Sequence, residues 1–594
     1  MKLIIAEKPA VAFSIAKALN IKGSKDGYIE NKDFVISWCV GHLVALAEPS
    51  VYDEKYAKWN YADLPIIPAE FQYKIYGGKQ KQFKVIKSLM NRKDVTEVIN
   101  ACDAGREGEL IFRLVYNQAN CRKPVKRLWI SSMEESAIRG GFENLKDGSA
   151  YDNLYQSALC RLWADWLVGI NATRLFSLLY RKTLNIGRVQ TPTLALLCDR
   201  HNKISFFKKE KYFTVFLDLG SVQAETERID NEDTAKEIAA ACGHSQAVCV
   251  SVTKEQKTEK PPKLFDLTAL QRAANRLYGY TAKQTLDLAQ SLYEKKLITY
   301  PRTDSRYLTE DMARTVLEVI ACSLKLPPFA DLSDFHADTF FLFNNEKVSD
   351  HHAIIPTMEL GRADLSALPN SEQNLLNLII DRLLASSAQP YVYENTTAIF
   401  ECGGHTFTAK GKSVIDYGFK AIEKLLDTLS ENADNNNQLF NFTEGQTFSG
   451  VAEIQEKYTV PPKPYTEDTL LSAMETAGVK ETTDDAERKG LGTPATRAAI
   501  LEKLVQTGFA ERKGKQILPT KTGTLLISVL PDTLISPSLT AEWENALALI
   551  SKGQENPKAF MQGIETMITG LVERYKAFNG KGENPFQKES GAAI

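Results

Sequence analysis

The chain is 594 residues long, which corresponds to about three or four domains of roughly 150 residues each and excludes one small binding module. With 43% hydrophobic and 25% charged residues, 34 Gly and 23 Pro, the composition is that of a globular protein with a large core, which excludes disorder, collagen and coiled coil. Lys and Arg number 72 against 74 Asp and Glu, so the net charge of -2 leaves no global basic field, and any nucleic-acid contact has to come from a local groove.

The N-terminus, MKLIIAEKPAV, turns charged at Glu7 and Lys8 before a signal-peptide core can form, and no apolar window approaches the ~18 residues of a membrane span. The expectation is a cytoplasmic protein without membrane contact. Leu3-Ile4-Ile5-Ala6, Val11 to Leu19, Val98 to Ala101 and Glu109 to Val115 alternate short apolar runs with helical patterns, which predicts an α/β arrangement over the first 150 residues. Glu7 and Asp103 then fall at the carboxyl ends of strands, the edge where open α/β sheets build their sites. The turn Asp103-Ala104-Gly105-Arg106-Glu107-Gly108-Glu109 adds carboxylates suited to Mg²⁺. A solvated acidic turn that caps a helix through its dipole is the alternative. The nine cysteines form no C-x-x-C pair, which argues against zinc and against a disulfide framework and predicts buried thiols.

Pro261-Pro262-Lys263 and Pro461-Pro462-Lys463-Pro464 cut the chain as hinges. Between them, Leu267, Leu270, Ala274 and Leu277 mark one helix, Thr281 caps a second through Leu286, Ala289 and Leu292, and Leu297-Ile298-Thr299-Tyr300 reads as a strand. In Gly404 to Ser413 six residues separate the two glycines, too many for a P-loop, so this stretch is a strand pair and not an ATP site. The polar run 431–438 is a surface loop by composition. Thr493, with Pro494 at the first helical position, opens a helix through Ile500 and Leu504, followed by the hairpin pattern of Phe509 to Thr520. Both helical stretches look like helix-turn-helix units with a wing. The last seventeen residues are polar and Gly-rich and are expected to be loosely held.

Six stretches in order carry a resemblance: Glu7-Lys8-Pro9 after a strand, the acidic turn from Asp103, Gly187-Arg188-Val189-Gln190-Thr191-Pro192, Tyr300-Pro301-Arg302-Thr303, His352-Ala353-Ile354-Ile355-Pro356-Thr357, and Gly492-Thr493-Pro494-Ala495-Thr496-Arg497. Together they resemble the type IA DNA topoisomerases, and within them the topoisomerase III branch, over nearly the whole chain. The resemblance implies a multidomain α/β plus α+β ring. Its parts are a Toprim catalytic domain (1–150), a winged-helix-like DNA-binding domain in two parts (151–212 and 465–577), and a strand-rich arch in two parts (213–262 and 396–464). A domain carrying the nucleophilic tyrosine (263–395) and a flexible tail (578–594) complete it. It implies ATP-independent cleavage of one DNA strand through a 5′-phosphotyrosine, strand passage and resealing, with Mg²⁺ and no zinc. The implied substrates are single-stranded and negatively supercoiled or catenated DNA. The enzyme is expected as a nucleoid-associated monomer, with a helicase and a single-strand-binding protein as candidate partners.

Residue types fit those roles. A phenol titrates near about 10, so Tyr300 needs nearby positive charge or a proton acceptor to attack. Arg302, two residues on, has the planar fork to hold a scissile phosphate. By resemblance Lys8 stabilises that phosphate, Glu7 delivers a proton to the departing 3′ oxygen, and His352, not His351, contacts phosphate. Glu7, Asp103 and Glu107 are the metal-ligand candidates. Arg188 and Gln190, alternate residues of an expected extended stretch, are candidates for single-strand binding with Asn185, Arg174, Thr496 and Arg497. Two positions depart from the family pattern. The acidic motif D-x-D-x-E has Gly105 as its middle residue, which removes one metal ligand, and Asn185 stands where serine is usual. The alternatives are a Toprim nuclease or primase, which needs no tyrosine nucleophile, and a DNA-binding protein that never nicks. For Tyr300 alone, a core aromatic is the bland reading.

Overall fold

The computed structural model describes residues 1–594 except 132, 221, 244, 333–334, 349–350, 427–441, 479–489, 579–583 and 588–594. The N-terminal strands are β1 (Lys2–Ala6), β2 (Ser24–Lys25), β3 (Tyr28–Glu30), β4 (Phe34–Trp38), β5 (Val44–Leu46), β6 (Tyr73–Ile75), β7 (Glu97–Ala101), β8 (Val125–Arg127) and β9 (Lys146–Asp147). Seven of them form one sheet in the order β2-β3-β4-β1-β7-β8-β9, with β1 central and parallel to both β4 and β7. Helices cover both faces. Leu3, Ile5, Val35 and Val98 enter one core and Ile4, Ala6, Ile36 and Ile99 the other, so the strands read as unbroken apolar runs.

A second seven-stranded sheet is built from β10 (Lys211–Asp218), β11 (Gln223–Glu225), β12 (Ala247–Glu259), β13 (Tyr391–Cys402), β14 (His405–Asp416), β15 (Thr447–Phe448) and β16 (Val451–Tyr458). All its ladders are antiparallel, in the order β15-β12-β13-β14-β11-β10-β16. Its small core is Val215, Leu217, Phe400 and Phe407 under the helix Glu232–Cys242. The turn Gly403-Gly404 joins β13 to β14, so 405–413 is a single strand and not the strand pair expected of it, its partner being β13 before the turn.

Both proline segments link β-strands of this arch to helices, Leu267–Tyr278 after the first and Glu467–Thr476 after the second. These helices share one large core with the long helix Asp152–Tyr180 and the helix Pro494–Gln506. Thr281 caps the helix Ala282–Glu294, accepting from Gln284 N. The C-terminal wing is present as β17 (Ala510–Lys513) and β18 (Gln516–Pro519).

Three further expectations are corrected. Leu297–Tyr300 is not a strand, since only the single bridge Ile298–Pro356 forms there, and no neighbouring strand offers a ladder. Gln190 is not extended. It begins the helix Gln190–Ser205, where Pro192 supplies a helical φ and lacks only a hydrogen-bond donor that a first turn leaves unused. The tail is docked at 584–587, where Asn584 Nδ2 donates to Tyr180 O and the buried Phe586 ring packs on Tyr180. The polar run 431–438 lies outside the described residues. All nine cysteines are free, and eight of them are buried. Among the described residues no helix is long and apolar enough to cross a membrane.

Candidate active site

The central parallel strands deliver the first two groups. β1 ends at Ala6, so Glu7 and Lys8 leave the sheet together, and Lys8 sits at the N-cap of the helix Pro9–Ala18 with Pro9 opening it. β7 ends at Ala101, which puts Asp103 beside them, ahead of the helix Arg106–Gln118. Gly108 lets that helix approach: a Cβ there would lie 2.1 Å from the Asp103 carbonyl oxygen. Beneath the turn the buried Arg127 guanidinium donates to the carbonyls of Asn100, Cys102 and Asp103.

Lys8 Nζ lies 2.8 Å from Asp103 Oδ2, 3.0 Å from Glu7 Oε1 and 4.0 Å from the centroid of the Tyr300 ring. Tyr300 comes from the loop after the helix Ala282–Glu294, held edge-on by Tyr293 at 5.3 Å. His351 closes the cluster. Its Nε2 donates to Asp103 Oδ2 at 3.0 Å, and its ring is 4.5 Å from that of Tyr300. These groups line a cleft of about 660 Å³ together with Glu107, Arg302, Asp304, His42, Lys79, Arg161, Asp165 and Thr496.

The electrostatics follow from burial and from Lys8. Burial, reinforced by Asp103, raises the Glu7 carboxyl to about 7 against the pull of Lys8. Burial works against Asp103 ionising, yet Lys8 and His351 outweigh it and hold that carboxyl well below the usual range. For Lys8 the two carboxylates outweigh burial and keep the ammonium firmly charged. Burial raises the Tyr300 phenol, with Lys8 as the main opposing influence.

A sequence profile of the DNA topoisomerase family matches residues 149–562, and a Toprim-domain profile matches residues 2–133. The DNA topoisomerase 3 of Bacillus licheniformis is 40% identical over 601 aligned positions, which cover 98% of this chain and 82% of that protein. That of Staphylococcus haemolyticus is 40% identical, over 97% of this chain and 83% of its own. The chain belongs to the type IA DNA topoisomerases, in the topoisomerase 3 branch. Among solved structures, the full-length topoisomerase I of Thermotoga maritima shares the fold with a TM-score of 0.72 at 24% identity, covering 96% of this chain and 90% of that one.

Within this topoisomerase fold, Glu7, Lys8, Asp103, Glu107, Tyr300, Arg302 and Thr496 meet at the cleft, as their motifs predict. His352 does not. It is His351 that faces Asp103 and Tyr300, while His352 turns inward, with Nδ1 2.9 Å from Ala353 O, and burial lowers its imidazole to about 4. His351 is in the cleft lining and His352 is not, so the two neighbouring side chains face different ways. Arg188, Arg497 and Arg174 are buried on protein partners. Arg188 binds Asp165 and Glu544, Arg497 binds Thr268 Oγ1 and the Leu491 and Gly492 carbonyls, and Arg174 donates to Tyr56 O. For Arg497 the cause is its face: Arg497, Ala498, Leu501 and Leu504 form the buried stripe of their helix. Asn185 lies between the helices Asp152–Tyr180 and Gln190–Ser205 and Gln190 opens the second of them, both away from the cleft lining. His42, Lys79, Arg161 and Asp165 were not singled out by sequence, and His351 was set aside in favour of His352. The Arg161/Asp165 pair, four residues apart on a helix, was the one available signal.

Among the described residues Asp103 Oδ1 is buried without a hydrogen-bond partner, and Glu107 is held by His42 Nε2 at 2.6 Å. Among the described residues no group of three or more His, Cys, Asp or Glu side chains is arranged as a cation cage. The donor set fits Mg²⁺ bound through one or two carboxylates, with water and phosphate completing its shell.

Proposed function

We propose that Tyr300 is the nucleophile of this type IA topoisomerase and that Glu7, Lys8, His351 and Arg302 serve it. The observation that carries the reading is Lys8, whose ammonium group touches Glu7, Asp103 and the Tyr300 ring at once. In cleavage the Tyr300 oxygen attacks the scissile phosphorus as its phenolic proton passes to water in the cleft, the P–O3′ bond breaks, and Glu7 gives its proton to the departing 3′ oxygen. Lys8 offsets charge on the phenolate and on the five-coordinate phosphorus. Arg302, exposed at the cleft, offers its fork to a phosphate oxygen. His351 holds Asp103 in place. Resealing runs the same steps backward, with Glu7 as base and the phosphotyrosine bond supplying the energy, so no nucleotide is consumed.

Asp103, Glu107 and Glu7 are the residues that would hold Mg²⁺, which supplies Lewis-acid stabilisation of phosphate charge when bound. Single-stranded, negatively supercoiled or catenated DNA is the substrate, Thr496 at a helix start is a phosphate contact, and a monomer at the nucleoid is the working form.

The test is denaturant trapping of a protein-linked single-stranded oligonucleotide. Wild type forms the adduct, and Tyr300→Phe forms none while its single-strand affinity stays within about two-fold, since one hydroxyl is removed. An adduct in the Phe variant refutes the assignment.

A further inference from the structure

Beside the cleft a single carboxylate gathers three guanidinium groups. Glu544, on the helix Ser538–Ser551, is 4% exposed. Its Oε2 accepts from Arg106 Nη2 at 2.8 Å, across 438 residues of sequence. Its Oε1 lies 3.5 Å from Arg188 Nη1 and 3.7 Å from Arg161 Nε. Asp165 takes the other side of Arg188 at 2.7 Å, and Thr540 Oγ1 donates to the Arg188 carbonyl. Burial opposes ionisation of Glu544, but the arginines outweigh it and hold the carboxyl far below its ordinary range. The carboxylate is therefore charged whenever the protein is folded near neutral pH.

Two of these arginines are one step from the chemistry. Arg106 stands between Gly105 and Glu107, as the first residue of the helix that follows Asp103, and is itself buried. Arg161 lines the cleft. We propose that Glu544 is a positioning residue for strand cleavage and resealing. Through Arg106 it fixes the acidic turn relative to Tyr300, and through Arg161 and Arg188 it fixes the adjoining cleft wall. Arg127 holds the carbonyls that lead into the turn and Lys8 and His351 hold Asp103, while Arg106, which also donates to Ser157 Oγ, ties the far side of the turn to Glu544. Loss of the Glu544 charge leaves Arg106 next to the carboxylates of its own turn, which draw the guanidinium toward Glu107 and shift the groups that face the phosphate. This inference rests on the roles given above to Tyr300 and Asp103.

The experiment uses the full chain and a single-stranded oligonucleotide, with adduct formation, oligonucleotide affinity and Tm measured for Glu544→Gln, Glu544→Asp, Arg106→Gln and the double variant Glu544→Gln/Arg106→Gln. Glu544→Gln is expected to slow adduct formation by about 10- to 100-fold, the cost of a small misplacement of reacting groups, with affinity within about two-fold. Arg106→Gln should lose part of that amount, and the double variant less than the product of the two losses, because both changes remove the shared Glu544–Arg106 ion pair. Glu544→Asp, which restores the charge, should recover part of the rate. Wild-type adduct formation in Glu544→Gln, or losses that multiply in the double variant, overturns the proposal. Should Glu544→Gln not fold, Arg106→Gln decides alone, and a wild-type rate there overturns it. An adduct surviving in Tyr300→Phe would refute the nucleophile and leave the Glu544–Arg106 cycle readable on that adduct.

Discussion

The charged cluster around Lys8 and the one around Glu544 flank the same acidic turn and both pair carboxylates with cationic side chains, but they are satisfied to different degrees. Around Lys8, one oxygen of Asp103 is buried without a partner among the described residues, Glu7 is raised to about 7, and the Tyr300 phenol is raised by burial. Around Glu544, both carboxylate oxygens face guanidinium groups. Groups held away from their ordinary protonation states in a cleft are available for work on a substrate, and groups that neutralise each other inside the protein are scaffold. The contrast explains why Arg188, which its motif suggested as a DNA ligand, is spent on protein carboxylates, while Arg302 stays exposed at the cleft.

The sharpest way to break this comparison is at the histidine pair. His351→Ala should lower adduct formation by about 100-fold, as expected for a group that positions Asp103 beside Lys8 and Tyr300. His352→Ala should instead cost about 1–3 kcal/mol of stability, visible in Tm, and leave the rate of the folded fraction near wild type. The opposite pattern would return the role to His352.

Arg188→Ala probes the other cluster. Removing one arginine from a buried ion-pair group should cost about 3 kcal/mol. The salt dependence of single-strand binding, about -0.7 in log-log slope per phosphate neutralised, should move by less than one phosphate. A slope that drops by a full phosphate with Tm unchanged would make Arg188 a DNA ligand.

A smaller effect is expected in the pH profile. Only protonated Glu7 can deliver a proton to the 3′ oxygen, so cleavage should fall as pH rises through about 7, the value to which burial and Asp103 raise this carboxyl. Asp103→Asn removes one of those two causes, so the midpoint should move to lower pH. A midpoint that stays put would assign the titration elsewhere.

The mildest change is Gly105→Asp. Gly105 has extended backbone, φ -157°, which any residue adopts, so an added carboxylate needs no backbone change. It should lower the Mg²⁺ concentration at half-maximal relaxation several-fold, because a further carboxylate oxygen then faces the turn. An unchanged midpoint would mean that the metal is held away from this turn.

Much of the site was legible because its residues leave their elements locally. Glu7, Lys8 and Asp103 follow apolar runs that can only be strands of a doubly covered sheet, and such strand ends are where sites form. Thr281 declared its helix start through its own side chain, and Thr493 through its capping-box side chain and the following Pro494. Local pattern failed where a partner far along the chain decided the outcome. Leu297–Tyr300 has strand-forming residues but found no strand to pair with, and Phe586 found a pocket against Tyr180 that tail composition could not announce.

The sequence by itself therefore determined most of the element types, the family, and the candidates Glu7, Lys8, Asp103 and Tyr300 that meet at the cleft, because each depends on a few neighbouring positions. Only the tertiary structure decided which histidine of His351-His352 faces the cleft, that Arg174, Arg188 and Arg497 turn inward, and that Glu544 reaches Arg106. A charged side chain has the same local signature whether it meets solvent, phosphate or a buried counter-ion. Which of these it meets is fixed by packing between segments hundreds of residues apart, where the cost of burying an unpaired charge forces a partner into place.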